Sequence, residues 1–171
     1  MTEDLQKIKV LVLDVDGVLT DGTLVVHADG SESKMLNSLD GHGLRMWMRT
    51  GKKAALLSGR ESEAVTCWAK RLGFTAAFGG CKKKLPVLKN FVEELSLLPE
   101  NIAYVGDDVV DLPRMRYSGF SAAPVNAVDE VKNEADFVTS RGGGYGAVRE
   151  VVEHVLRQTG DWNEQMKRYL S

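Results

Sequence analysis

The chain has 171 residues, enough for one domain with a sizeable core. Its 22 basic and 24 acidic residues nearly cancel, which argues against nucleic acid as a partner, and no apolar run approaches the roughly 20 residues needed to cross a bilayer. Only Cys67 and Cys81 occur, without CxxC spacing, and His27, His42 and His154 are scattered, so neither a disulfide framework nor a thiolate or histidine metal site is expected.

The opening MTEDLQKIK is polar and mixed in charge, unlike a secretory signal, which makes a cytoplasmic protein the expectation. IKVLVLDV follows, apolar on consecutive positions as a strand covered on both faces would be. Asp14 and Asp16 stand at its end, with Asp21 shortly after. From about residue 22 to 37 two short extended runs flank Ala28-Asp29-Gly30, the pattern of a hairpin. GHGLRMWMRTG predicts a helix ended by Gly51, opened by Asp40-Gly41-His42-Gly43; its free N–H groups either receive an anion or are simply capped.

KKAALLSGR predicts a second buried strand that stops at Ser58-Gly59. Glu61 to Leu72 carries Ala64, Val65, Trp68, Ala69 and Leu72 along one helical face, and a short strand is expected at Ala76 to Phe78. The helix in KLPVLKNFVEELSL tolerates Pro86 only in its first turn. NIAYVGDD is a further buried strand ending in glycine and carboxylates. GFSAAP and DFVTS predict two short strands with a helix between them, and GAVREVVEHVLRQTG a closing amphipathic helix. The tail from about 159 to 171, TGDWNEQMKRYLS, reads either as disordered or as docked on a neighbouring chain through Trp162 and Tyr169.

Strands alternating with helices give the expected fold class: α/β, a Rossmann-like parallel sheet with helices on both faces, a small β-hairpin insertion and no cap domain, all in one domain over 1–171. Ligands in such sheets bind beyond the carboxyl ends of the strands. Asp14/Asp16, Ser58/Gly59 and Asp107/Asp108 all fall there. Carboxylates at strand ends, with no nearby histidine or cysteine cluster, suit a hard cation such as Mg²⁺, which shares its positions between carboxylate, water and substrate phosphate. A carboxylate can also attack phosphorus, dividing a hard step in two. Asp14 as nucleophile would need charge neutralisation from Mg²⁺, Lys84, the Ser58 hydroxyl and backbone N–H groups. Asp16 could protonate the leaving oxygen and later activate water.

DVDGVLTDG, LLSGR, Lys84 in KKKLPVL, and YVGDDVVD, in that order, resemble the four motifs of the haloacid-dehalogenase-like phosphatases across essentially the whole chain. The resemblance implies Asp14 as nucleophile and Asp16 as acid/base. It also implies Asp14, the Asp16 backbone carbonyl and Asp107 as metal ligands, Ser58 and Lys84 as phosphate contacts, and Asp108 and Asp111 as supporting groups. Asp108 is equally explained as a helix N-cap and Asp111 as a loop fastener.

A narrower resemblance, to 3-deoxy-D-manno-octulosonate 8-phosphate phosphatases, is carried by the hairpin, DGHGL, SGR, PENIAYVGDD and GGGYGAVRE. It implies a sugar-acid phosphate substrate, contacts from Gly59, Arg60, Asp40 and Gly41, and a homotetramer in which neighbouring chains complete the site. Arg60 fits that subgroup better than its nine-carbon (nonulosonate) relatives, while Tyr145 stands where the subgroup favours arginine. The RGGGYG loop is expected beside the active site. Three other readings are weaker. A dehalogenase needs neither Asp16 nor the acidic last motif. A receiver domain would place its phosphoacceptor after a later strand. A noncatalytic oligomerisation module has no use for a full set of catalytic carboxylates.

Overall fold

In the computed structural model, which describes residues 5–170, the first apolar run forms β1 (Val10–Leu13), with every residue buried. The sheet explains the unbroken apolar run. Leu11 and Leu13 pack into one core layer with Leu44, Trp47, Val151 and Val155, while Val10 and Val12 face another with Leu88, Phe91 and Tyr104. A strand with water on one face would alternate instead. Each such side chain contributes roughly 1.5–3 kcal/mol through burial.

Next come β2 (Val25–Val26) and β3 (Glu32–Ser33), an antiparallel pair separate from the main sheet. Their turn is closed by His27 N–H to Ser31 O and Gly30 N–H to His27 O, with Asp29 accepting from Ser31, and Gly30 sits at φ +84° as the turn requires. After the hairpin run α1 (Ser38–Arg49), β4 (Lys53–Leu57), α2 (Glu63–Leu72), β5 (Ala76–Phe78) and α3 (Lys84–Glu94). β6 (Ile102–Val105), the short α4 (Leu112–Met115), β7 (Phe120–Ala123), α5 (Asp129–Glu134) and β8 (Phe137–Val138) follow, and α6 (Ala147–Gln158) and α7 (Asp161–Leu170) close the fold. The main sheet has order β5-β4-β1-β6-β7-β8, with every pairing parallel.

β1 is therefore the centre, with the chain departing to β4 on one side and β6 on the other. Leu13 pairs with both Leu56 and Val105, so the three strands end within one residue of each other and release Asp14, Ser58 and Asp107 at one rim. Pro86 lies in the first turn of α3, as its ring demands. No helix among the described residues is long and apolar enough to cross a membrane.

Two expectations change. The helix expected at Gly41 begins at Ser38, where Asn37 caps it by accepting from Leu39 N–H. Asp40 and Gly41 are thus inside the helix rather than at an open N-terminus. Up to Leu170 the tail is not disordered: it forms α7, which packs on its own chain. Trp162 is buried between the Arg157 and Arg149 guanidinium groups, 4.2 and 5.6 Å from its ring, and Tyr169 Oη accepts from Arg49 at 2.8 Å. The aromatic and arginine pairing is a long-range match that tail composition alone cannot reveal.

Candidate active site

Asp14 is the first residue beyond β1 and is only 7% exposed. Its Oδ1 accepts from Val15 N–H at 2.7 Å and its Oδ2 from the Lys84 ammonium at 2.5 Å. Lys84, at the first position of α3, is itself buried, so the pair meets where water screens poorly. Burial and the Asp111 charge push the Asp14 carboxyl up to about 6, against the opposing pull of Lys84.

Asp107 follows Gly106 at the end of β6. Burial and the neighbouring charges of Asp111, Asp14 and Asp108 push it up to about 7. It fits because Gly17, at φ +79°, has no side chain; a Cβ there would lie 1.9 Å from Asp107 Oδ2. No donor among the described residues makes a hydrogen bond to the Asp107 carboxylate.

Asp111 is fully buried and surrounded. Its oxygens accept from Tyr104 Oη at 2.8 Å, Arg114 Nη2 at 2.5 Å, Asp107 N–H at 3.1 Å and Asp108 N–H at 3.3 Å. Burial opposes its ionisation, yet Lys84 and Arg114 outweigh that and hold the Asp111 carboxyl below its ordinary range. Gly106 makes this approach possible, since a Cβ there would lie 2.4 Å from that of Asp111. Oxygens of Asp14, Asp107 and Asp111 lie within 4.8 Å of one another. Four donors fill the roughly four acceptor positions of Asp111, so Asp14 and Asp107 are the side chains left to hold a cation. Both offer hard oxygen donors, as Mg²⁺ prefers. A buried and a half-buried carboxylate, raised first by burial and then by neighbouring carboxylate charge, also fit an added positive charge.

Asp14, Lys84 and Asp107 line an open cleft of about 650 Å³ with Asp16, Gly59, Arg60 and Asp108. Asp16 stands in the turn after β1 and pairs with Lys34 from the hairpin. Ser58 is buried at the end of β4 and its Oγ accepts from Arg60 N–H at 3.1 Å; it lines a narrow neighbouring recess with Lys34 and Arg60 instead of the cleft itself. Arg60 donates to Glu32 at 3.1 Å. Asp108 accepts from Val109 N–H at 2.7 Å, capping a 3₁₀ turn over Val109–Asp111, while keeping a place on the cleft wall.

Asp40 and Gly41 do not line the cleft. Asp40 is fully buried and accepts from Arg149 N–H at 2.8 Å and Gly146 N–H at 3.3 Å, so one helix supplies the cap of another. Gly146 has no side chain to do this itself. Burial raises the Asp40 carboxyl above its ordinary range. Gly41 lies under Trp68 and Leu72.

The RGGGYG loop buttresses the turn that follows Asp14. Asn126 donates to Gly17 O at 3.0 Å and accepts from Gly143 N–H at 2.6 Å, and Gly144 N–H reaches Val18 O. A Cβ on Gly143 would collide with Gly17 O at 1.9 Å. Asn126, Arg114, Glu32 and Lys34 escape sequence reading. Arg114 had one available signal, a polar Tyr104 inside an apolar strand that must find a partner; the hairpin pair had none.

Residues 79–142 match the family described as haloacid dehalogenase-like hydrolase. The chain is 39% identical over 159 residues to 3-deoxy-D-manno-octulosonate 8-phosphate phosphatase KdsC of Escherichia coli K12, covering 93% of this chain and 85% of that protein. The chain belongs to the KdsC family of haloacid dehalogenase-like hydrolases. A probable YrbI family phosphatase from Pseudomonas syringae pv. phaseolica superposes with a TM-score of 0.96 at 42% identity, over 99% of this chain and 97% of that one. The 3-deoxy-D-manno-octulosonate 8-phosphate phosphatase of Moraxella catarrhalis, solved with magnesium, phosphate and KDO, gives 0.95 at 32% identity over 98% and 97%. This chain shares that fold, with the small hairpin and no cap domain among its described residues.

Proposed function

We propose that this chain is a Mg²⁺-dependent phosphomonoesterase whose substrate is 3-deoxy-D-manno-octulosonate 8-phosphate. The observation that carries the reading is the buried Asp14, held by Lys84 beside the uncompensated carboxylate of Asp107. The magnesium ion and KDO bound by the Moraxella relative support the choice of metal and sugar.

Asp14 is the nucleophile. Val15 N–H and Lys84 fix its carboxylate, so little reorientation precedes attack. Its oxygen bonds to phosphorus as the bond from phosphorus to the sugar oxygen breaks, and Asp16 gives that oxygen a proton. Water then attacks the aspartyl-phosphate while Asp16 takes a proton back, releasing phosphate and restoring Asp14. Lys84 lies where it can offset charge on the phosphoryl oxygens. A divalent cation held by Asp14, Asp107 and the Asp16 carbonyl supplies further charge neutralisation when bound. Asp111 keeps Lys84, Arg114 and the Asp107 backbone in place. Arg60, at the cleft edge, is a contact for the second anionic group of a keto-acid phosphate.

We also place the chain in the cytoplasm, as one domain that assembles as a homotetramer. Exposed Val25, Val26 and Met35 on and beside the hairpin support assembly, since apolar side chains clustered next to an open cleft favour a covering partner.

The experiment is phosphate release from a panel holding octulosonate 8-phosphate and nine-carbon keto-acid 9-phosphates, with and without Mg²⁺. The expected result is Mg²⁺-dependent turnover, fastest on the octulosonate ester and lost in Asp14→Asn. A nine-carbon preference would keep the chemistry and move the substrate, with Tyr145 the first position to examine. Undiminished turnover in Asp14→Asn would refute the mechanism, and a wild type inert on every ester would favour a binding module.

A further inference from the structure

The hairpin reaches the catalytic rim through charge. Lys34, just beyond β3, places its ammonium against Asp16 Oδ1 and 3.9 Å from Glu32 Oε2. Arg60 Nη1 is 3.1 Å from Glu32 Oε1, and Arg60 Nε is 3.9 Å from Asp16 Oδ2. Asp16, Lys34, Glu32 and Arg60 thus form a closed ring of alternating sign, two members from the hairpin and one from each of two strand ends.

Surface ion pairs are common and weak. Lys34 differs in being almost wholly covered: its side chain is 2% exposed, on a hairpin whose neighbouring side chains are open to solvent. Covering an ammonium is costly without a compensating partner. Asp16 in turn depends on it. Asp14 has Val15 N–H and Lys84, whereas among the described residues only Lys34 makes a hydrogen bond to the Asp16 carboxylate. Two-residue strands do not hold a hairpin rigidly by themselves, so the ring is also what ties this insertion to the site.

We propose that Lys34 is a positioning residue that orients the Asp16 carboxyl for proton transfer to the leaving oxygen, making the hairpin a working part of the active site. The inference rests on the phosphatase reading above. In the step concerned, the bond from Asp14 to phosphorus forms, the ester bond breaks, and the proton of Asp16 passes to the departing oxygen. Lys34 touches none of the reacting atoms; it fixes one oxygen of Asp16, a residue of the cleft wall, and leaves the other without a hydrogen bond among the described residues, 3.9 Å from Arg60 Nε.

The test uses leaving groups of different need. A sugar alkoxide must be protonated as it leaves, whereas p-nitrophenolate leaves without help. kcat/KM covers only the steps through departure of the leaving group, so it excludes the later hydrolysis. We expect Lys34→Met to lower kcat/KM for the best sugar-acid phosphate by about 10²-fold, the scale of a general acid's contribution. The loss on p-nitrophenyl phosphate should be at least about tenfold smaller, and Lys34→Arg should recover part of the sugar-ester activity. The aryl ester reports at the same time that the variant is folded and its nucleophile competent.

Equal losses on the two esters would overturn the proposal and reassign Lys34 to folding or phosphate binding. Undiminished sugar-ester activity in Lys34→Met would overturn it as well. A wild type inactive on both esters would refute the phosphatase reading and this proposal together, an outcome distinct from either.

Discussion

The cleft has two charged regions built on opposite principles. At the ends of β1 and β6, three carboxylates meet one lysine and one arginine, all buried or half-buried. At the hairpin, two acids meet two bases in a ring that closes on itself. The first region is short of positive charge, and its strain appears as Asp14 and Asp107 raised to about 6 and about 7. The second is neutral as it stands. An imbalance buried in a folded protein is costly unless something completes it, which is why the strand ends read as a place for a cation and a phosphoryl group. The ring reads as a device for holding a side chain still.

The largest effect should come from removing a carboxylate that holds either the metal cation or the buried cationic side chains of the site. Asp107→Asn is expected to cut kcat/KM by about 10³-fold or more, in line with losses of groups that act together in a site. Its Mg²⁺ saturation curve should shift to higher concentration, and unchanged Mg²⁺ dependence would take Asp107 out of the metal site. Asp111→Ala strands Arg114 without its carboxylate and leaves Lys84 with Asp14 alone. Removing one side of a buried ion pair costs about 3–5 kcal/mol, so denaturant unfolding should register a loss of that order. A loss below about 1 kcal/mol would mean that Asp111 is not the hub its contacts make it.

The third expectation concerns pH. Asp14 and Asp107 have folded values above the unfolded one, so they bind protons more tightly in the native state. Their contribution to stability is full below pH 4 and is lost as pH rises through about 6 and 7. Asp111, held low, contributes in the opposite sense: its share is present above the unfolded value and fades as the solution becomes more acid. Mg²⁺ should relieve the first cost only where both carboxylates are ionised. At about a hundred times its Kd it should add roughly 2.7 kcal/mol, raising the thermal midpoint clearly at pH 8 and much less at pH 5. An equal shift at the two pH values would separate metal binding from these two groups. The smallest effect belongs to the ring: Glu32→Gln weakens a partly exposed pair worth about 0.2–1 kcal/mol and should slow the sugar ester about two- to fivefold.

The difference between the regions also governs what the sequence made legible. Asp14, Asp16, Lys84, Asp107 and Asp111 sit in short motifs next to apolar strands, and strand ends in a parallel sheet converge by topology. The meeting of Asp14, Asp16 and Asp107 could be inferred from strand order, whereas Lys84 and Asp111 were singled out by the motif resemblance. Asp40 was misplaced because its helix starts three residues earlier than the glycines suggest, and its partners lie on α6, more than a hundred positions away. Lys34 and Glu32 were missed for a similar reason: a hairpin's register against another element leaves no periodicity to read. Trp162 shows the same limit in the core, since its cover is two arginines from α6.

The most direct test of the central claim is to look for phosphate on Asp14. Wild-type protein mixed with Mg²⁺ and a ³²P-labelled sugar-acid phosphate, then quenched in acid within the first turnover, should carry label on the peptide containing Asp14. Asp14→Asn should carry none. Turnover without protein-bound label, or label retained in Asp14→Asn, would contradict the account.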